Sequence, residues 1–265
     1  MENNIKTAEK NDRLEREKDF HNEAFSSEKR QTTKKYYSTT ALSKEFYRTL
    51  TQNNVKGKKV LEYGCGPGSQ SFTLAALGAD VTAIDISDVA IDLVRKKVEE
   101  ENLDMDFFVM NAESLEFKDN SFDKVCGSGI LHHLDLEKSY SEIQRVLNKN
   151  GSAIFFEPLG HNPFINFYRN RTPQLRTEDE HPLLMKDIEL AQKYFSEVNV
   201  HYYHLTSIAS SFIPFTSVRK PFSALLNKLD NGLFKPGLCI RIIKRWAQIV
   251  YLRENAIHPR SFLNR

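Results

Sequence analysis

The sequence predicts an α/β protein: a seven-stranded, mostly parallel sheet with helices on both faces, an N-terminal helical lid and a helical insertion ahead of the last strand. Three observations carry that expectation. From Gly57 onward, short apolar runs alternate with stretches of helical periodicity, the pattern of a parallel sheet covered on both faces. A glycine-rich segment, Gly64-Cys65-Gly66-Pro67-Gly68, stands between the first apolar run and the helix that follows it. The 265 residues, 40% hydrophobic and 27% charged, suffice for a large core and have the composition of a globular rather than a disordered or collagenous chain.

Residues 1–56 read as the N-terminal helical lid, polar and helix-prone, with Phe20, Phe25, Tyr36, Tyr37, Phe46 and Tyr47 spread among charges. The first strand is Lys59 to Tyr63. The glycine segment then opens a helix through Phe72, Leu74, Ala75 and Leu77, which Gly78 ends because glycine takes the left-handed cap conformation at no steric cost. Asp80 to Ile84 is the second strand, and Ser87 or Asp88 caps a helix with Ala90, Ile91, Val94 and Val98 at helical spacing. Met105 to Met110 gives the third strand and Phe122 to Cys126 the fourth. A helix from about 135 to 147 buries Leu136, Tyr140, Ile143 and Leu147, and Asn150-Gly151 turns the chain into a fifth strand, Ala153 to Phe156. A helix over 183–194 and a sixth strand around 198–203 complete a core of 57–204. The segment WAQIVYLR, 246–253, reads as the last strand, rich in β-branched and aromatic residues, or as the end of a basic helix. The strand is preferred. Residues 205–245 are then a helical cap insertion, and 246–265 the last strand and tail of the core domain. Insertions in that position sit above the carboxyl edge of the sheet, where ligands of such folds bind.

The net charge of +2 hides an asymmetry: residues 205–265 carry ten Lys or Arg against Asp230 and Glu254, so the rest of the chain is acidic. Such a field suits a peripheral membrane or other anionic surface contact through 205–245, unless it is only a solvated basic face. No run of ~18 uncharged apolar residues is present to cross a bilayer. The N-terminus lacks the apolar core of a secretory signal, and a cytoplasmic location is expected. Cys65, Cys126 and Cys239 cannot all pair and form no CxxC or Cys/His ligand spacing, so neither a disulfide framework nor a metal site is expected.

Three glycines in a strand-to-helix loop allow a tight turn and let a ligand approach backbone amides at a helix N-terminus. Asp85 closes the second strand, where a carboxylate can accept both hydroxyls of a ribose. The spacing GxGxG differs from the dinucleotide pattern GxGxxG, which disfavours a nicotinamide-dependent oxidoreductase. Glu62, at the carboxyl end of the first strand, would repel a pyrophosphate but can meet an ammonium group.

Together VLEYGCGPGS, AIDIS, MNAESLEF and FDKVCGSGILHHL resemble the class I S-adenosylmethionine-dependent methyltransferases of small-molecule type, whose fold is Rossmann-like. The resemblance spans roughly residues 57–157. It implies S-adenosyl-L-methionine as cofactor and S-adenosyl-L-homocysteine as product. It implies further that Glu62, Gly64, Cys65, Gly66 and Gly68 flank the methionine moiety, that Asp85 holds the ribose and that Ile86 packs on adenine. Asn111 and Ala112 would meet the adenine edge, although many members have Asp where this chain has Asn111. Ser128 and His133 follow the fourth strand at the cofactor's edge. In related enzymes the second His of such a pair often lies near the methyl group, which makes His133 a candidate base or positioning residue, or else a helix cap.

Methyl transfer from a sulfonium is an in-line displacement governed by alignment and desolvation, so a strong catalytic signature is not expected. Three regions are candidates for the acceptor pocket: Phe20 and His21 with Tyr37 in the lid, where His21 is a second, weaker candidate for catalysis; His161, Arg169 and Arg176 after the fifth strand; and the basic insertion with Phe212, Phe215, Phe222 and Trp246. Arg169 and Arg176 can clamp an anionic group or pair with Glu178, Asp179 or Glu180. The Asn/Asp-Pro-Pro-aromatic segment of base-amino methyltransferases is absent, so DNA is not an expected partner. The expectation is methyl transfer to an O, N or C atom of a small organic acceptor, secondary-metabolite or lipid-like. The alternatives are an RNA acceptor, a non-catalytic S-adenosylmethionine-binding protein and, more remotely, an NAD-dependent oxidoreductase.

Overall fold

A computed structural model describes residues 2–26, 41–68, 70–161, 163–173, 177, 179–203, 216–233 and 250–253. In chain order the elements are α1 (Glu2–Ser26), α2 (Ala41–Gln52), β1 (Lys59–Tyr63), α3 (Ser71–Ala76), β2 (Asp80–Asp85), α4 (Asp88–Glu101), β3 (Asp106–Val109), β4 (Phe122–Ser128), a 3-10 turn (Leu131–His133), α5 (Leu136–Val146), β5 (Leu147–Phe156), α6 (Pro163–Arg171), α7 (Met185–Ala191), β6 (Glu197–Val200), α8 (Thr216–Leu233) and β7 (Val250–Arg253). The sheet order is β3-β2-β1-β4-β5-β7-β6. Five strands run parallel, and β7 is antiparallel to both β5 and β6. The chain reverses direction across the sheet between β1 and β4, and in open α/β sheets that switch point opens a crevice beyond the carboxyl ends of the strands.

The central strands β1, β2, β4 and β5 are largely buried on both faces, as parallel strands between helices must be, while the edge strand β3 is mostly exposed. On β1, Leu61 and Tyr63 join the core with Val125, Tyr140, Ile143 and Phe155 beneath α5, while Val60 on the opposite face meets Leu74, Val81 and Cys126. Ile91 and Val94 of α4 cover Cys65 and Ala83. Ser87 caps α4 by accepting from Ala90 N at 3.0 Å, and Asn102, left-handed at φ 49°, ends it. The sheet also anchors α2. Lys124 of β4 is buried, and its Nζ donates to Leu50 O, Thr51 O and Asn53 O at 3.1, 2.9 and 3.0 Å. A buried ammonium is costly unless hydrogen-bonded, and two carbonyls of the last turn of α2 and that of Asn53 just beyond it supply the acceptors.

The structure shifts some expected boundaries. β5 starts at Leu147 and runs through Asn150-Gly151, which the sequence reads as a turn. The pairing passes from Phe122↔Leu147 to Lys124↔Ser152, so the Asn-Gly pair sits in an irregularity of the β4–β5 ladder rather than in a reverse turn. Val250–Arg253 is strand; Trp246, with residues 204–215 and 234–249, lies outside the described residues. Of the cap insertion, the described part is α8. Among the described residues no helix is long and apolar enough to cross a membrane.

Candidate active site

The loop after β1 is held by two contacts between residues nineteen apart in the sequence. Cys65 N donates to Ile84 O at 2.9 Å, and Gly66 N donates to Asp85 Oδ2 at 2.8 Å, while Asp85 Oδ1 accepts from Ser87 N at 2.9 Å. Asp85 therefore fixes the glycine loop to the start of α4 and still faces the cavity. Gly64 and Gly66 have φ of +71° and +52°. A Cβ on Gly64 would lie 2.6 Å from the Ile130 side chain, and one on Gly66 would lie 3.4 Å from the ring of Phe25. Side chains at these positions would take up the space between the loop and its cover.

That space is a cavity of about 530 Å³, within the range of small-molecule and cofactor sites. Gly64, Cys65, Gly66, Gly68, Asp85 and Ile86 line its sheet side, and Asn111, Ala112 and Ser128 continue the wall. Asn111 Oδ1 accepts from Glu113 N at 2.9 Å, so the acceptor atom expected for adenine is shared with a local turn. Burial pushes the Cys65 thiol well up, which keeps it protonated and inert. Three left-handed glycines, a carboxylate at the end of β2 and apolar side chains around one cavity fit a nucleoside-containing group.

The opposite wall belongs to α1 and α2. Arg13, Glu17, His21 and Phe25 recur every four residues, share one face of α1 and all line the cavity. Lys44, Tyr47 and Arg48 do the same from α2. Arg13 Nη1 donates to His133 O at 2.8 Å, and its Nη2 contacts Glu113 Oε1. Asn22 accepts from Ser87 Oγ at 2.6 Å, tying the end of α1 to the cap of α4. Glu17 is the centre of the polar cluster: its Oε2 stands 3.1 Å from His133 Nδ1 and 3.5 Å from His21 Nε2, and its Oε1 accepts from Thr177. Burial alone would raise the Glu17 carboxyl, but His133 and His21 outweigh it and hold the group well below the usual range. Burial likewise pulls His133 down, and Glu17, with Glu180 and Glu157, pulls it up by more.

His132 faces away from this cluster. Its Nδ1 is 2.7 Å from Glu157 Oε2, and Glu157 Oε1 accepts from Ile130 N and Leu131 N at 2.9 and 3.0 Å. Glu157 thus fixes the 3-10 turn that delivers His133.

Four expected site residues stand elsewhere. Glu62 is fully buried and accepts from Gln70 N at 2.9 Å and Ser71 N at 2.7 Å; it holds the N-terminus of α3 and is not on the cavity wall, because orphan amides of a helix start attract a carboxylate more closely than a ligand ammonium across the loop. Phe20 packs edge-on against His21, one position off the cavity-facing row of α1. His161 Nε2 accepts from Met185 N at 3.2 Å and so serves the start of α7. Arg169 pairs with Glu180 at 2.7 Å, the pairing that the sequence left open against an anion clamp. Tyr37 and Arg176 lie outside the described residues. Glu17, Arg13, Lys44 and Arg48 are additions from the structure. The four-residue repeat of Arg13, Glu17, His21 and Phe25 is a signal in the sequence that could have shown the first two.

Residues 61–155 match the family model described as a methyltransferase domain. These residues, the central strands and helices of the sheet, are therefore similar to a methyltransferase domain. A ubiquinone biosynthesis O-methyltransferase of Nitrosococcus oceani is 33% identical over 111 residues, covering 42% of this chain and 47% of that protein. The chain spans about half the length of the curated relatives it matches. A geranyl diphosphate C-methyltransferase from Streptomyces coelicolor A3(2) superposes with TM-score 0.55 at 13% identity, covering 81% of each chain. The [4+2]-cyclase SpnF superposes with TM-score 0.53 at 16% identity, covering 81% of this chain and 82% of that one. At these identities the structures share the fold, and a cyclase among them shows why the reaction must be argued from the site.

Proposed function

We propose that this protein transfers the methyl group of S-adenosylmethionine to a hydroxyl oxygen of a small organic acceptor. One observation carries the reading: the glycine loop with Asp85, and the Glu17–His133–His21 cluster, face each other across a single cavity. When bound, the cofactor supplies a methyl group on a positively charged sulfur. Asp85 is placed to accept from its ribose, Ile86 to pack on its base, and Asn111 to meet the base edge. Phe25 and α1 exclude water above the glycine loop, which strengthens alignment in a displacement that needs little else. The polar cluster is where an acceptor hydroxyl would be oriented and its proton handled. Lys44 and Arg48, one turn apart on α2, give that part of the cavity a positive wall suited to an acceptor carrying a carboxylate or phosphate. Oxygen is favoured over nitrogen or carbon because the curated relatives matching the core are O-methyltransferases by name. The test is formation of S-adenosylhomocysteine with a panel of hydroxybenzoates, catechols and alkyl phosphates bearing hydroxyls. Turnover with a hydroxyl acceptor and none with its methyl ether supports the reading; methylation of amines alone would replace it.

Peripheral contact with an anionic membrane surface is part of the same proposal. On α8, Val218, Phe222, Leu225 and Leu229 are exposed at spacings that bring them to one side of the helix, in the basic C-terminal part of the chain. Co-sedimentation with phosphatidylserine vesicles, lost on Phe222→Glu, is the expected result, and sedimentation unaffected by that change would refute it.

A further inference from the structure

We propose that Glu17, His21 and His133 bind a first-row divalent cation, zinc, cobalt or manganese, on the acceptor side of the cavity. In the sequence Glu17 and His21 stand at i and i+4, on one face of a helix, and His133 joins them only in the fold. α1 contributes Glu17 and His21 from successive turns, and the 3-10 turn after β4 contributes His133. One donor atom from each lies within 4.8 Å of the other two. A carboxylate with two imidazoles is a donor set for first-row metals, whereas calcium and magnesium favour oxygen alone.

Two further features point to a ligand at this point. Glu17 Oε2 and His133 Nδ1 are buried, in residues 4% and 8% exposed, and face each other at 3.1 Å as an ion pair rather than an aligned hydrogen bond. A cation between them would bind both atoms and replace that contact. The neighbouring charges leave room for it: Arg13 is turned to His133 O and Glu113, and Glu17 Oε1 is held by Thr177. A second cluster, His132, His133 and Glu180, shares His133, but there His132 is bound to Glu157 and Glu180 to Arg169 at 2.7 Å each. Its donors are already committed, which assigns His133 to the α1 side.

Three protein ligands leave coordination positions open, as in catalytic rather than structural sites. All three residues line the cavity, so the open positions face the acceptor. The site selects an acceptor with a hydroxyl, best with a second oxygen beside it. A hydroxyl on the cation gives its proton to water more readily. Its oxygen then forms the bond to the methyl carbon as the carbon–sulfur bond breaks, with the electron pair staying on sulfur to give neutral S-adenosylhomocysteine. This role rests on the methyltransferase reading; the binding of the cation does not.

The experiment titrates the chelator-treated full chain with Co²⁺ and follows visible absorption, then displaces it with Zn²⁺, while S-adenosylhomocysteine binding is measured by calorimetry on the same protein. The expected result is one equivalent of Co²⁺ with visible ligand-field bands, displaced by Zn²⁺, and at least tenfold weaker binding in Glu17→Gln and in His21→Asn with S-adenosylhomocysteine still bound. No bands at millimolar Co²⁺, or the same affinity in both variants, would overturn the site. Should the variants fail to fold, X-ray absorption on the wild-type zinc complex decides: two imidazole nitrogens at about 2.0–2.1 Å support the site, and a sulfur or all-oxygen shell overturns it. Cobalt bound without S-adenosylhomocysteine would remove the methyltransferase reading and leave the cation site; the reverse would remove only the site.

Discussion

The two walls of the cavity are built from different material. On the sheet side, Gly64, Gly66 and Asp85 act through backbone shape and two short hydrogen bonds, all within one strand-helix-strand unit. On the α1 side, Arg13, Glu17 and His21 act through side chains that reach partners 100 to 160 residues away, such as Glu113, His133 and Thr177. The first wall is a cradle fixed by local backbone contacts. The second is a set of long-range contacts made by side chains of a half-buried helix, and such contacts lie outside the sheet's own strand pairing. That division suits an enzyme class that keeps the methyl donor and varies the acceptor.

The comparison can be broken most sharply at Asp85. Asp85→Ala loses the Gly66 tie and the proposed ribose contact together, and S-adenosylhomocysteine affinity should fall on the order of 100-fold, about 3 kcal/mol, by calorimetry. Unchanged affinity would mean that the sheet-side wall is not the cofactor's. Gly64→Ala comes next. The new methyl meets Ile130 at 2.6 Å in a left-handed backbone, and we expect about 2–3 kcal/mol of destabilisation in denaturant unfolding. Ile130→Ala in the same chain should restore only part of it, since the backbone strain stays; full restoration would show that crowding alone was responsible.

Lys124→Met tests the other wall. It leaves three carbonyls at the end of α2 without their donor and should cost about 2 kcal/mol, while raising the acceptor KM more than it weakens S-adenosylhomocysteine binding. Equal effects on both ligands would show that α2 serves the two walls alike. The smallest effect belongs to Glu142, whose carboxylate accepts from Arg145 at 2.7 Å and from Leu115 N at 2.7 Å. Arg145 chiefly holds this carboxyl below its ordinary value near 4.5. The contribution is therefore present above about pH 4.5 and lost as pH falls through the depressed value. Glu142→Gln should lower the melting temperature at pH 7 by a few degrees, on the order of 1 kcal/mol, and the gap should close in acid. A gap that persists in acid would assign the loss to packing.

The sheet-side wall was legible because its information is local. Strand, glycine loop, helix, strand and acid follow one another within 30 residues, and periodicity places each of them. Asp85 follows from its position at a strand end. Glu62 shows the limit of the same reasoning: position alone cannot say whether a carboxylate at a strand end turns to a ligand or to the helix start beside it, and here the helix amides of Gln70 and Ser71 take it. The α1 wall was legible only in part: His21 and His133 stand out by type and position, and both line the cavity, but what they meet does not follow from the sequence. Its partners come from turns and loops at 113, 133 and 177, and no sequence period links them to α1. His161 and Arg169 look like site residues by type, yet each is consumed locally, by Met185 N and by Glu180. The four-residue repeat from Arg13 to Phe25 was also available in advance, and it says which residues share a face without saying what that face meets.

The most direct test of the account is a calorimetric titration of the full chain with S-adenosylmethionine, S-adenosylhomocysteine and NAD in parallel. Binding of both sulfur ligands at one site per chain, with no heat from NAD, is the predicted result. Binding of NAD, or of none of the three, would contradict the assignment of the glycine loop and Asp85 to the methyl donor.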